Sequence, residues 1–594
     1  VEKLDTQVLI VGGGGAGLTA AMLLADLGVD AITINKAPGT SILPKAHVLQ
    51  QRSMEVYRRL GLADDIYERG TPPENMAYTG WYAGLVGDDP VYGREIAKME
   101  SWGAGYTDPE YVAASPCRQT NLPQIRLEPV LLDRARARAA ASIRFNHELL
   151  RFEQDDAGVT STIRDGDTGE EYTVRSRYLF GADGGRTVGD AVGIEMQGQR
   201  NILYSVSVHM SADLSQHIGD PSVLIHWMWP AHTGLLTLLI PMGPTRWGPD
   251  SEEWVFHENY AADDRRIWDD AEMVKDMKHA IGLPDLDATI HKITRWSFEA
   301  LVAERFRAGN VFLLGDAAHR HGPTGGLGLN TAIQDAENLC WKVAAVLGGQ
   351  ANDALLDTYE AERQPVAARN VRRSTENAMN HMNIGAALGV APTQSEAENL
   401  ASLRRVWSED PADDEYRARV RAAIQAQTME FREHNVEYGY RYDAAVLPDG
   451  TPEPEPLDEV HLYEPDTRPG APLPHAWLED HRGNRVAVQD LAGVGQYLLL
   501  AGEDGGAWVD AARQVAAESG VEIVAHTIGH VSGDYLDARL TWLRHRGHGP
   551  SGAVLVRPDR VVAWRTQELA TDPTAELRTV FEQLHQRQPA PARA

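Results

Sequence analysis

Three glycine-rich segments hold the residues whose types and spacing suit chemistry. The first is Gly12-Gly13-Gly14-Gly15-Ala16-Gly17, a G-x-G-x-x-G set between a β-rich run (6–11) and a helix-forming run (16–28). In that setting Gly12 allows the tight turn and Gly14 lets backbone approach a pyrophosphate. Gly17 permits close helix–strand packing, and the helix N-terminus adds N–H groups and a positive dipole. The acidic residue that usually ends the second strand is missing, and Asn35-Lys36 stands there. Asn35 can still hydrogen-bond a ribose hydroxyl, so both are kept as candidate cofactor contacts. A plain nicotinamide dehydrogenase becomes less attractive. The second segment is Gly181-Ala182-Asp183-Gly184-Gly185-Arg186. The third runs from Gly315-Asp316 through Pro323, Gly326 and Gly328 to Leu329-Asn330. There a strand delivers a carboxylate able to accept from a sugar-alcohol hydroxyl. A glycine-rich turn then opens a helix expected over 331–346, whose N-terminal dipole suits a ring that gains negative charge on reduction.

The elements that must position these segments follow from the pattern around them. The runs 6–11, 16–28 and 31–35 form a βαβ unit, which implies a parallel sheet covered on both faces. Strands before Gly181 and Gly315 are expected to join it. Residues 200–295 alternate apolar and polar residues and are rich in tryptophan, which predicts a mostly antiparallel sheet inserted into the first domain. Residues 351–440 are helix-forming, with a break near 390–396. The stretch 447–456, rich in proline and acid, reads as a linker. Beyond it, 470–594 alternates strands (497–500, 522–526, 552–557, 561–564) with helical runs, and is expected to be a separate small α/β domain.

Bulk properties narrow the class. The 594 residues exceed one ordinary core, so two to four domains are expected. A formal charge of −29 argues against nucleic acid and anionic membranes as partners. The only cysteines, Cys117 and Cys340, are far apart, which disfavours disulfides and thiolate metal sites and fits a cytoplasmic location. None lies in the tail, so thiol–disulfide chemistry is not expected there. No run of about 18 apolar residues predicts a membrane span, and the start, Val1-Glu2-Lys3-Leu4-Asp5, shows no signal-peptide pattern. His319, His321 and His381 lack a metal-like arrangement with carboxylates, so no metal is expected.

The three segments, in this order and at these separations, resemble the single-component FAD-dependent aromatic hydroxylases. The similarity is strongest to the branch containing phenol hydroxylase, 2-hydroxybiphenyl 3-monooxygenase and 2,4-dichlorophenol 6-monooxygenase. It extends to 44–52 (Pro-Lys-Ala-His-Val-Leu-Gln-Gln-Arg), Asn121-Leu-Pro-Gln124, 359–365 (Tyr-Glu-Ala-Glu-Arg-Gln-Pro) and 556–565 (Val-Arg-Pro-Asp-Arg-Val-Val-Ala-Trp-Arg). The resemblance implies an α/β fold with a discontinuous Rossmann-like FAD-binding domain (1–75, 118–190 and 296–375) and an inserted β-sheet substrate domain (76–117 and 191–295). A helical segment and linker (376–456) and a C-terminal thioredoxin-like domain (470–594) would follow. It implies hydroxylation of a phenol-type or pyridinol-type ring with NADH or NADPH and O₂, through a flavin C4a-hydroperoxide. A homo-oligomer, dimer or larger, is expected, the tail helping subunit contact. Rival readings are a flavin oxidoreductase or epoxidase without ring hydroxylation, and a non-catalytic FAD-binding protein.

Carried over residue by residue, the resemblance places Gly12, Gly14 and Gly17 at the pyrophosphate and Gln124 on the flavin side. Asp316, following Gly315, would bind the ribityl chain. Leu329 and Asn330 would meet the flavin pyrimidine edge, with Pro323, Gly326 and Gly328 in the same loop. Asp183 and Gly184 would serve FAD binding and NAD(P)H recognition, and Lys45 stands where many relatives have an arginine near the flavin. His47 matches a position that holds a base in relatives, and an imidazole suits removal of a phenolic proton. A structural histidine is the competing reading. Trp227, Asn121 and Pro323 are candidate substrate neighbours, with core packing the competing reading for Trp227.

Overall fold

The computed structural model describes residues 3–586 except 263, 265–268, 453, 454 and 456. Part of the expected linker and the last eight residues therefore lie outside the described residues.

The N-terminal run Lys3–Val11 is the middle of a parallel sheet. From one edge the order is Arg307–Ala308 (an antiparallel edge), Val311–Leu313, Glu171–Gly181, Lys3–Val11, Ala31–Asn35, Ala141–Phe145, with a further antiparallel extension by Gly158–Asp165 and His147–Asp155. Val8, Leu9 and Ile10 are completely buried, as a strand covered on both faces requires. Register brings Val11 beside Gly181 and Gly181 beside Leu313. Three glycine segments far apart in sequence thus end side by side at the carboxyl edge of neighbouring parallel strands, where ligands bind in open α/β sheets.

A second sheet of seven strands runs in the order Ala288–Ser297, Leu203–Ala212, Glu253–Ala261, Thr237–Gly243, Val223–Met228, Tyr78–Tyr82, Glu95–Glu100. It is antiparallel except for Val223–Met228 against Tyr78–Tyr82, which run parallel because the latter arrives from a separate, earlier excursion of the chain. Alternation in Leu203–Ala212 sorts its faces: Val206, Val208 and Met210 pack with Met273 and Met277 of the Asp270–Ile281 helix. Ser205, Ser207 and His209 fall on the opposite face.

One expectation needs correcting. The helix expected over 331–346 is Leu327–Leu347 and starts four residues earlier. Gly325 (φ 83°) and Gly326 (φ 64°) make the left-handed turn alone, so Leu327 to Asn330 already belong to the buried first turn. The tail alternates strands and helices as expected, its sheet running Arg485–Ala487, Trp477–Glu479, Tyr535–Leu536, Ile523–Gly529, Tyr497–Gly502, Ala553–Val556, Val562–Thr566. It also packs closely on the body. Trp341, Ala345 and Leu355 share its core with Trp508, Leu555 and Phe581. The turn after Ala553–Val556 drives Arg557 onto Glu362 (2.6 and 2.9 Å), which also takes Lys342 Nζ (2.6 Å). Arg52 donates to the Asp559 carbonyl at 2.6 Å. All these side chains are buried, so removing the tail strands charges in low dielectric.

Candidate active site

The first cradle is made by backbone. The Gly15–Asp26 helix has no side-chain cap and no acid in its first turn, leaving its amides and dipole open to an anion. A Cβ on Gly17 would lie 1.9 Å from the Gly12 carbonyl oxygen, so only glycine lets this helix sit against the strand. Above Gly14 the nearest atom to an added Cβ is Glu128 Oε1, at 3.4 Å. Glu128 was not singled out in the sequence. It is buried, accepts from the Ser41 N–H at 2.6 Å and from Gln124 Nε2, and so ties the 38–46 loop to this cradle. Its signal was the Gln124/Glu128 spacing, which puts both on one helix face. Gln124 opens the Gln124–Arg136 helix, its own N–H bound to the Ala46 carbonyl (2.8 Å).

Asn35 and Lys36 take other roles than expected. Asn35 Oδ1 accepts from the Gly13 N–H (3.1 Å) and its Nδ2 reaches the Ala37 carbonyl, so the side chain braces the glycine turn. Lys36 pairs with Glu148 at 2.6 Å with 78% of its side chain exposed. Asp183 is likewise spent on its own loop, accepting from the N–H groups of Gly185, Thr187 and Val188. Arg320 donates to the carbonyls of Gly184 and Gly185, fixing the same turn.

Asp316 contrasts with these. It is exposed at the end of Val311–Leu313, and its carboxylate has no partner among the described residues. Gly315 sits between the two helix starts, an added Cβ falling 3.1 Å from Ala332 and 3.3 Å from Ala16. Buried Asp335 holds this turn by accepting from the Gly315 N–H while paired to His319 (2.6 Å) and Arg363 (2.8 Å). Burial raises its pKa, but these two partners outweigh it and hold the carboxyl at about 2. The Leu327–Leu347 helix also lacks a side-chain cap and first-turn acid. Leu329 packs toward Gly15, and Asn330 uses its side chain to clamp the Val48 carbonyl (3.0 Å) and the Gln50 N–H (2.9 Å). Gly325 donates to Glu430 (2.9 Å), Gly328 faces His321, and Pro323 is exposed. Two open helix N-termini with a free carboxylate between them fit a flavin dinucleotide: anion at one end, sugar alcohol in the middle, electron-accepting ring at the other.

Opposite this cradle, the short strands Val48–Leu49 and Thr120–Asn121 pair and bring His47 against Asn121. Asn121 Nδ2 donates to Thr71 Oγ1 (2.7 Å), and its Oδ1 faces His47 Nδ1 at 2.5 Å. His47 therefore carries its proton on Nδ1 and leaves Nε2 as an acceptor. Burial lowers the His47 pKa below its ordinary 6.5, and the Asn121 bond partly offsets this. Asn121, expected beside the substrate, is buried behind the histidine instead. Lys45 is exposed on the adjoining loop. Trp227 is a core residue: it stacks on His381 at 3.6 Å and donates its indole N–H to Thr79 (2.8 Å).

The sheet adds a residue that the sequence did not flag. His257, hydrogen-bonded through Nδ1 to Ser207 Oγ (2.7 Å), is lowered to about 4, chiefly by burial and further by the charge of His47. His209, Glu253 and His291, farther along this face, form a group of metal-type donors. The Arg126 guanidinium already sits on the Glu253 carboxylate, so a cation there would meet a like charge. No helix among the described residues is long and apolar enough to cross a membrane.

Comparison with known proteins agrees with this architecture. The family model described as FAD binding domain matches residues 5–374, and that described as aromatic-ring hydroxylase, C-terminal, matches 466–587. The chain is 37% identical to 2,4-dichlorophenol 6-monooxygenase of Delftia acidovorans over 98% of both chains. It is 35% identical to phenol 2-monooxygenase of Pseudomonas sp. (strain EST1001), over 97% of this chain and 92% of that one. The crystal structure of the flavin-dependent monooxygenase PieE in complex with FAD and substrate superposes with a TM-score of 0.91 at 38% identity, covering 98% of this chain and 100% of that one. Aklavinone-11 hydroxylase with FAD and aklavinone gives a TM-score of 0.77 at 30% identity, over 99% and 100%. Matched in body and tail and related along its whole length, this chain belongs to the FAD-dependent aromatic-ring hydroxylases.

Proposed function

We propose that this monooxygenase hydroxylates a phenol-type ring and that His47 accepts the phenolic proton. The observation that carries the reading is the Asn121–His47 pair, which occupies Nδ1 and leaves Nε2 of this part-buried imidazole as an acceptor beside the Val48–Leu49 strand. When bound, FAD passes electrons from NADH or NADPH to O₂ and supplies the oxygen that is transferred. The chain's own part is to bind, orient and move one proton. Gly12, Gly14 and Gly17 admit the pyrophosphate to the amides of the Gly15–Asp26 helix, and Asp316 accepts from the ribityl chain. Backbone at Leu329 and Asn330, in the first turn of Leu327–Leu347, meets the pyrimidine edge.

A free phenol has a pKa of about 10, so little phenolate exists at neutral pH. His47 Nε2 accepts the hydroxyl hydrogen bond and takes the proton, which puts electron density into the ring and raises the nucleophilicity of the ortho and para carbons. A phenol made more acidic by its substituents transfers that proton more readily. The expected setting is a cytoplasmic homo-oligomer.

The test is a panel of phenols given to the FAD-loaded protein with NADH or NADPH under isotopically labelled O₂. Label in a ring-hydroxylated product, with substrate-accelerated consumption of the nicotinamide, is the expected result. Nicotinamide oxidation that yields only peroxide or an oxidised, unlabelled product across the panel would overturn it.

A further inference from the structure

The turn at the flavin end of the cradle contains two adjacent left-handed glycines, Gly325 (φ 83°) and Gly326 (φ 64°). Glycine adopts either hand at little cost, so this shape needs pins from outside. Within the turn the Gly326 N–H reaches the Pro323 carbonyl at 3.2 Å. Further bonds come from two distant elements. Ser374, Asn377 and His381 are spaced to share one face of the Asp357–Leu388 helix, and all three are buried. Ser374 accepts from the Gly322 N–H through its hydroxyl (3.3 Å) and from the Thr324 hydroxyl through its carbonyl (2.5 Å). Glu430, from the short helix Thr428–Phe431, is 2% exposed and uses both carboxylate oxygens. One accepts from the Gly325 N–H at 2.9 Å, and the other from His381 Nε2 at 2.7 Å. Asn377 and Glu433 close over the Gly325 Cα, where a Cβ would lie 3.0 Å from Asn377 Nδ2 and 3.3 Å from both Glu433 oxygens. On its other side the His381 ring stacks on Trp227 at 3.6 Å, and the Trp227 indole N–H donates to Thr79 Oγ1 at 2.8 Å. Trp227 and Thr79 stand on paired strands of the seven-stranded sheet. Contact therefore runs unbroken from that sheet to the turn, through Thr79, Trp227, His381, Glu430 and Gly325.

We infer that Glu430 is a positioning residue for the flavin: it fixes the Pro323–Gly326 turn in the shape that presents the open start of the Leu327–Leu347 helix, and through His381 and Trp227 it ties that turn to the seven-stranded sheet. This rests on the reading of that helix start as the seat of the pyrimidine edge. A carboxylate suits the task because its two oxygens only accept, and they face two N–H donors that arrive from different elements. Without it the buried Gly325 amide has no acceptor, and the two glycines are released to other shapes. FAD then binds only the fraction of molecules that keep this shape, so its apparent affinity falls with that fraction.

The experiment is fluorescence titration of the apoprotein with FAD, joined to the visible spectrum of the FAD-saturated protein. Glu430→Leu keeps the bulk and removes both acceptors. It should raise the FAD Kd by about 5- to 100-fold, the range for a buried donor left unpaired, and alter the flavin's visible bands. Glu430→Gln keeps an oxygen for the Gly325 N–H and should recover most of the affinity and the wild-type bands, whereas a role in packing alone would leave Leu and Gln alike. His381→Phe retains a ring on Trp227 and cuts the bond to Glu430. It should raise the Kd by about 2- to 10-fold, close to one net hydrogen bond, and it tests the same link if Glu430→Leu fails to fold. Wild-type affinity and spectrum in Glu430→Leu, Gln no better than Leu, or an unchanged Kd in His381→Phe overturns the inference. Failure of the seat reading shows instead in Gly326→Ala, which strains the left-handed helix start without altering Glu430 and would then bind FAD with wild-type affinity and spectrum.

Discussion

In the flavin cradle the groups left open are backbone amides at two uncapped helix starts and one free carboxylate, Asp316. Across from it the open group is His47 Nε2, its imidazole oriented by the Thr71–Asn121–His47 chain of side-chain hydrogen bonds. The cradle's shape is set by what is missing, since a single Cβ on Gly12 or Gly17 collides with carbonyl oxygen. The wall's chemistry is set by what is present and by where its protons sit. Changes in the cradle should therefore act on cofactor retention, and changes in the wall on turnover and selectivity with FAD still bound.

Gly17→Ala should break the cradle outright. The new methyl meets the Gly12 carbonyl carbon and oxygen, backbone atoms that cannot swing aside, and overpacking of this kind costs about 3 kcal/mol or more. Flavin absorbance after reconstitution and desalting, with a melting curve, checks it. Wild-type FAD retention would contradict a backbone-shaped cradle.

His47→Ala addresses the other side. Hydroxylation should slow about 10²–10⁴-fold, the usual worth of a general base, while FAD binding stays intact. The pH profile sharpens the point. Because burial lowers the His47 pKa, the base form is already present at neutral pH. Wild-type turnover should be flat above about pH 7 and fall only as His47 is protonated below its ordinary value of about 6.5. The variant should instead rise with pH as the phenol itself ionises toward about 10. If both profiles coincide, the base lies elsewhere.

Asp316→Ala should weaken FAD by about 1–3 kcal/mol, the cost of a lost charge-assisted hydrogen bond, measured by fluorescence titration of the apoprotein. Turnover at saturating FAD should change far less, which separates cradle from wall.

Asn121→Leu is expected to have the smallest effect. It frees the His47 tautomer, and turnover should drop by about tenfold, close to one net hydrogen bond. Since the Asn121 bond raises the His47 pKa, its loss should move the acid limb of the pH profile to lower pH. A limb that stays in place would mean that Asn121 does not hold the imidazole.

The cradle was largely legible in the sequence because each of its parts is local. A strand, a glycine turn and a helix start lie within about one βαβ unit, and glycine spacing reports backbone geometry directly. Less legible there were side chains with more than one use. Asn35 and Asp183 were read as ligand contacts, but both bond to amides of nearby turns, a competition that short polar side chains often win. The tail's docking on the body was not legible because Arg557 and Asp559 look like ordinary turn residues until the fold brings Glu362, Lys342 and Arg52 around them.

By itself the sequence determined the parallel sheet, the three glycine junctions, the inserted antiparallel sheet and His47 as a residue worth testing. Periodicity and turn chemistry are properties of neighbouring residues, and the resemblance added the rest. Only the tertiary structure decided which groups meet. Asn121 is 74 residues from His47, and Ser207 is 50 from His257 and 89 from Trp296. Their meeting depends on strand register, where a slip of one residue would turn Ser207 and His257 to the opposite face of the sheet. The proton position on His47 follows from such contacts, so its free acceptor exists only in the folded chain.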